Sequence, residues 1–162
     1  ELSMKTLQPF CGSLNRGFTG NMIFQFYIPN EIHELSVELT YEKEHLEDPV
    51  SYIECFRHQL IRQAMPYLGR IPTDRQLLEM TQAMKTEIQL CVLINGTFAG
   101  NVHMPGTNKK ILLKEGILSR GCLPYNGQNG MLKIIVNVYQ VVENNTPWTL
   151  EIKGGPEHVE TN

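Results

Sequence analysis

The chain has 162 residues, enough for one domain with a true hydrophobic core. Hydrophobic residues make up 41% and charged residues 19%, which excludes a disordered chain. The 14 basic and 17 acidic residues give a net charge of -3 and form no basic stripe, so the usual electrostatic footprint of nucleic-acid binding is missing.

Residues 1–17 carry weak pattern, broken by Pro9, Gly12 and Gly17, and read as an N-terminal arm. Glu1-Leu2-Ser3 reads either as residues left ahead of a start at Met4 or as the cut end of a longer chain. The domain proper is expected over 18–153. Met22, Phe24, Phe26 and Ile28 alternate along a strand that Pro29-Asn30 ends. Leu35, Val37, Leu39 and Tyr41 alternate with Ser36, Glu38 and Thr40, the pattern of a strand with one wet face.

The period then changes. Asp48-Pro49 suits a helix start, because Asp caps exposed amides and proline is tolerated at the first helical position. Ile53, Phe56, Leu60 and Ala64 share a helical face, and Pro66 and Gly69 are expected to stop it. Thr73 and Gln76 have capping-box spacing, and Leu77, Met80 and Met84 form the stripe of a second helix. A helical insertion is therefore expected at about 49–85, packed on the rest as a side-cap.

Period two returns at Ile88–Ile94. Asn95-Gly96 is a type I′ hairpin signal, and Thr97–Met104 reads as its partner strand with Phe98, Val102 and Met104 on one face. Lys109-Lys110 reads as a solvated turn before a short strand. Leu132, Ile134, Val136 and Val138 point inward in a long strand, and Trp148, Leu150 and Ile152 in the last one. Residues 154–162 read as a flexible tail. The fold class is mainly β: an antiparallel two-sheet, jelly-roll-like sandwich with an inserted helical hairpin. Its expected core includes Phe24, Phe26, Leu39, Val92, Ile134, Val136, Trp148 and Leu150.

The segments F-Y-I-P, L-S-V-E-L-T-Y, K-K-I-L-L, S-R-G-C-L-P-Y, G-M-L-K-I-I-V-N-V-Y and T-P-W-T-L-E-I carry a resemblance. The chain resembles the small β-sandwich that precedes the catalytic domain in PHP-type metal-dependent hydrolases. More loosely, it is similar to the pre-peptidase C-terminal domains of secreted proteases. The resemblance covers Met22–Tyr41 and Lys110–Ile152. It implies a sandwich with an accessory or binding role and carries over no catalytic residue, because the hydrolase's metal ligands lie outside the matched part. The helical hairpin departs from both relatives.

Reactive constellations are sparse. His33, His45, His58, His103 and His158 form no H-x-H pair, and no G-x-S-x-G or phosphate loop occurs. Cys11, Cys55, Cys91 and Cys122 lie far apart with no C-x-x-C spacing. They read as reduced thiols, Cys91 as buried, with a single bridge left open. Unpaired thiols and no visible leader favour the cytoplasm, and no apolar run spans a bilayer. Glu42, Glu44, His45, Glu47 and Asp48 are the densest set of metal-type ligands, but they spread along a link into a helix. Ser119-Arg120-Gly121-Cys122 reads as a structural turn rather than a thiol nucleophile.

Two functions remain open. The first is a non-catalytic binding or protein-interaction module, either alone or as an accessory to a hydrolase. Its ligand-binding candidates are Tyr67, His103, Tyr125 and Tyr139, with Tyr27 as a further exposed aromatic. Its partner is a protein or a second copy docked through the helical hairpin, or a carbohydrate or peptide; no nucleic acid, membrane or cofactor is expected. The alternative is a small hydrolase with a site between hairpin and sandwich, using His58, Glu54, His103 or Glu115.

Overall fold

In the computed structural model, which describes residues 4–29 and 32–155, those residues form eight strands and two helices. The strands are β1 (Lys5–Leu14), β2 (Gly20–Ile28), β3 (Glu34–Tyr41), β4 (Glu87–Ile94), β5 (Thr97–Val102), β6 (Asn108–Lys114), β7 (Gly130–Gln140) and β8 (Thr146–Gly155). Helices α1 (Pro49–Leu68) and α2 (Asp74–Ala83) lie between β3 and β4. Antiparallel pairs join β1 to β8, β2 to β7, β3 to β6 and β4 to β5, as if the strand list were folded in half and rolled up. Further pairs, β3 with β8 and β4 with β7, complete two four-stranded sheets, β1-β8-β3-β6 and β2-β7-β4-β5. This wrapping is the jelly roll, a sandwich built from two Greek keys.

Period-two residues supply the core. Leu35, Val37 and Leu39 of β3 face Leu90 and Val92 of β4 and Leu132, Ile134 and Val136 of β7, all fully buried. Leu150 and Ile152 of β8 join them, with Trp148 at the edge. Phe24 and Phe26 pack on this core but are only half-buried, because β2 is an edge strand.

The two outer faces differ. On the β1-β8-β3-β6 sheet, charges pair across β3 and β6, Lys114 with Glu34 at 3.3 Å and Lys110 with Glu38 at 4.0 Å, and along β8, Lys153 with Glu151 at 3.4 Å. The other sheet presents Ile23, Ile135, Cys91 and Leu93 among the amides Asn21, Gln25, Gln89 and Asn137.

Several expectations change. Residues 5–14 are not an arm but edge strand β1. Their alternation is hidden by a bulge between Thr6 and Gln8, and by Gly12 at an inward position opposite Trp148. Edge placement also tolerates Pro9. Gly154 and Gly155, read as tail, end β8; the remaining tail, His158 included, lies outside the described residues, as do Glu1–Ser3 and Asn30. Cys91 is half-buried on the outer face of β4, alternating with inward Leu90 and Val92. Phe98 does not share a face with Val102. A bulge in the β4–β5 hairpin sends Phe98 outward opposite Leu93 while Val102 lies opposite Leu90. Asn95 and Gly96 take φ values of 51° and 77°, as a type I′ turn requires.

The helix caps follow the sequence. Asp48 accepts the Ser51 amide at 3.0 Å, and Thr73 and Gln76 close a capping box. Pro66 does not stop α1. It removes one amide in the final turn, and the helix continues to Leu68, where Gly69 at φ 66° donates its N–H to the Met65 carbonyl at 2.8 Å. Met84 falls just past α2 in extended backbone, so the buried stripe is Leu77 and Thr81, with Met80 half-buried.

Nor is the hairpin a side-cap. Ile53, Leu60 and Leu77 form a cluster of their own, ringed by half-buried Tyr52, Ile61 and Leu78 and separate from the sandwich core. Arg16, just past β1, ties its base to the sandwich. The Arg16 Nε donates to the Val142 carbonyl at 2.8 Å, and its guanidinium lies 5.1 Å from the Tyr52 ring centroid and 5.8 Å from that of Phe56. Glu143 accepts from the Glu47 amide at 2.9 Å and pairs with Arg16 at 3.4 Å.

Candidate functional site

The structure brings two of the four ligand-binding candidates together. His103, just past β5, stacks on Tyr139 of β7 with ring centroids 5.5 Å apart. The Tyr139 hydroxyl donates to Gln89 Oε1 at 2.6 Å, and Gln89 Nε2 donates to Asn101 Oδ1 at 2.7 Å. Tyr125 is not an exposed platform residue. Its side chain is buried beneath the β6–β7 connection, where its hydroxyl donates to the Ile32 carbonyl at 2.8 Å. Burial, and then the nearby Glu115 carboxylate, push this phenol up to about 12. Tyr67 stands alone on α1, 91% exposed. No common tyrosine platform results.

A cleft of about 210 Å³ opens at one end of the sandwich, lined by Tyr41, Glu44, Lys85, Glu87, His103 and Lys109 among others. Lys109 is no solvated turn residue. It lies in β6, in alternation with inward Ile111 and Leu113, and is only 3% exposed. Its Nζ donates to the Met104 carbonyl. Burial lowers the pKa of this amine; Glu44 opposes the shift, Lys85 adds to it and Glu87 opposes it. Beside it the Tyr41 hydroxyl lies 2.9 Å from the Gly106 carbonyl and 3.3 Å from that of Thr86. Burial first, then Glu44 and Glu87, push the Tyr41 phenol up to about 12. Sequence reasoning missed both residues as cleft lining. The signal for Lys109 was its place in the alternation with Ile111 and Leu113.

The second concavity belongs to the helical hairpin. A shallow groove of about 490 Å³ runs between α1 and α2, lined by Gln63, Ala64, Tyr67, Leu68, Gln76, Glu79 and Met80. Exposed Met65 and Ile71 lie near it in sequence. Glu79 of the lining pairs with Arg75 at 3.0 Å, and elsewhere on the hairpin Arg57 pairs with Asp74 at 2.7 Å. Among the described residues, Arg62 and Arg70 have no ion-pair partner.

The hydrolase candidates do not converge. Glu54 and His58 are exposed on α1. His103 lines the end cleft, next to the Asn108 end of β6, whereas Glu115 follows the Lys114 end and lies 2.8 Å from His33 Nδ1. The acidic link is engaged locally. Asp48 holds Ser51 and its carboxyl is lowered by those bonds, Glu47 pairs with Lys43 at 3.5 Å, and Glu44 with His45 at 3.8 Å. Among the described residues no three His, Cys, Asp or Glu side chains are placed to hold a metal. Cys122 sits in a turn in which its N–H donates to the Ser119 carbonyl at 3.1 Å, and burial pushes its thiol up, away from nucleophilic thiolate. No described helix is long and apolar enough to cross a membrane.

A search of curated proteins finds no match. One family model matches almost the whole chain, over residues 4–158. The chain therefore belongs to that family of unknown function, DUF6669.

Proposed function

We propose that this chain is a non-catalytic protein-interaction module that docks an amphipathic α-helix of a partner protein in the groove of its helical hairpin. The observation that carries this reading is the hairpin's separateness. Among the described residues, Ile53, Leu60 and Leu77 form a buried apolar cluster of the two helices apart from the sandwich core, and Arg16 and Glu143 hold the base of the hairpin to the sandwich. A two-helix unit cannot bury a whole apolar stripe on each helix, and a third helix laid in the groove completes a small bundle. Ala64 offers close approach at the groove, and Tyr67 and Leu68 offer apolar area. The charge balance selects the partner. Residues 49–84 carry four arginines against three acids in a chain that is net -3, and Arg62 and Arg70 lack acidic partners among the described residues. The docked helix should therefore bring carboxylates beside its apolar face. The resemblance of the sandwich strands to accessory domains of hydrolases supports the same kind of role.

The test is site-specific photo-crosslinking in the native cell from position 67, with position 153 on the opposite sheet as control. The reading expects a product unique to position 67, with the crosslink mapped to a helix of a different protein. Products shared with position 153, none at all, or only a second copy of this chain would remove the proposal. A melting shift with oligosaccharides and none with the captured partner would point to carbohydrate instead.

A further inference from the structure

The end cleft contains chemistry that a docking role does not use. Lys109 is an amine buried in the wall of an open cavity, an unusual place for a lysine, whose charged end normally reaches water. Its Nζ is aimed by the hydrogen bond it donates to the Met104 carbonyl. As a free amine it makes that bond with an N–H and keeps its lone pair for the cleft. Lys85 and the carboxylates of Glu44 and Glu87 line the same cavity, and His103 stands at its rim. A desolvated lysine beside a second cation is the usual setting for an amine that attacks carbonyl groups.

We infer that Lys109 is a reactive amine that captures small aldehydes or ketones as an imine in the end cleft. The Nζ lone pair attacks the carbonyl carbon, and a proton moves from nitrogen to oxygen to give a carbinolamine. Loss of that oxygen as water then leaves the C=N bond, so no oxidant or reductant is needed. Glu87, Glu44 and His103 are the groups in the cleft that can carry those protons. The volume of about 210 Å³ limits the ligand to a few heavy atoms. Burial and Lys85 favour the free amine and support the assignment, although Glu44 and Glu87 act against it.

The test uses the whole wild-type chain with glycolaldehyde near neutral pH. Cyanoborohydride reduces any imine to a stable secondary amine, and peptide mass spectrometry gives a rate for each lysine. A lowered amine pKa raises the free-base fraction near neutral pH, so Lys109 should be modified several-fold faster than exposed Lys110. In urea that preference should vanish. Lys109 labelled no faster than Lys110 in the folded chain would overturn the inference. A second measurement needs no change at Lys109: Glu87→Gln removes a carboxylate that favours the charged amine, so Lys109 labelling should rise at lower pH than in the wild type, and an unmoved profile would overturn the placement of the reacting amine beside Glu87 in this cleft.

Discussion

Gly12 of β1 lies directly against the indole of Trp148 on β8. A Cβ at residue 12 would stand 2.7 Å from the ring atom Cζ2 of Trp148 and 2.9 Å from Cε2. The first strand is thus keyed to the last by a missing side chain. Trp148 in turn meets Phe24 edge-on at 5.6 Å, so one contact set links both sheets.

This relationship sets the first stability prediction. Gly12→Ala should destabilise by about 1–3 kcal/mol, because the indole must move within a packed core. Trp148→Ala should cost about 3–5 kcal/mol through lost transfer energy and the cavity left behind. Urea unfolding of both variants checks the order. A neutral Gly12→Ala would show that β1 is not seated on β8 in this way.

Arg16 should hold the hairpin without holding the sandwich. Arg16→Ala removes the bond to the Val142 carbonyl, the pairing with Glu143 and the stacking over Tyr52 and Phe56. Hydrogen exchange should speed up in α1 and α2 while β3, β4, β7 and β8 keep their protection, because local openings follow local contacts. Equal acceleration in the strands would mean that hairpin and sandwich unfold as one unit.

In alkali the buried tyrosines govern stability. Tyr41 and Tyr125 have phenols raised from 10.0 to about 12. A group with a raised folded pKa contributes its stability fully below the unfolded value and loses it as pH climbs to the folded one. Stability should therefore fall between pH 10 and about 12. Lys109, lowered by burial, works in the opposite sense, and its relief is complete by its ordinary value of 10.5. Tyrosinate absorbance should show an upper step near pH 12 that disappears in the Tyr41→Phe, Tyr125→Phe double variant. An unchanged upper step would place the slow-titrating phenols elsewhere.

How far the fold could be read depended on whether each strand kept its alternation. β3, β7 and β8 do so over their full length, and their inward residues were legible one by one. β1 was not, because its bulge puts Leu7 out of step and its inward positions include Gln8 and Gly12. The β5 register failed for a similar reason, since the bulge beside Leu93 reverses which face Phe98 takes. Asp48, Thr73 and Gln76 announced both helix starts through their capping chemistry. What local pattern could not announce was where the helices would lean, because that depends on Arg16, more than thirty residues upstream. The same limit applied to the site. His103 and Tyr139 were legible as candidates, but the burial of Lys109 and Tyr41 in one cleft arises from strands that meet only in the rolled-up sandwich.

The central claim is that the hairpin groove is the docking surface, and hydrogen exchange on the chain with and without its crosslink-identified partner tests it most directly. Docking should slow exchange in the last turns of α1, around Ala64–Leu68, and across Gln76–Met80 of α2, with the outer face of β2 unchanged. Protection confined to β2 and β7, with α1 and α2 exchanging as before, would contradict the claim and move the interface to the sheet.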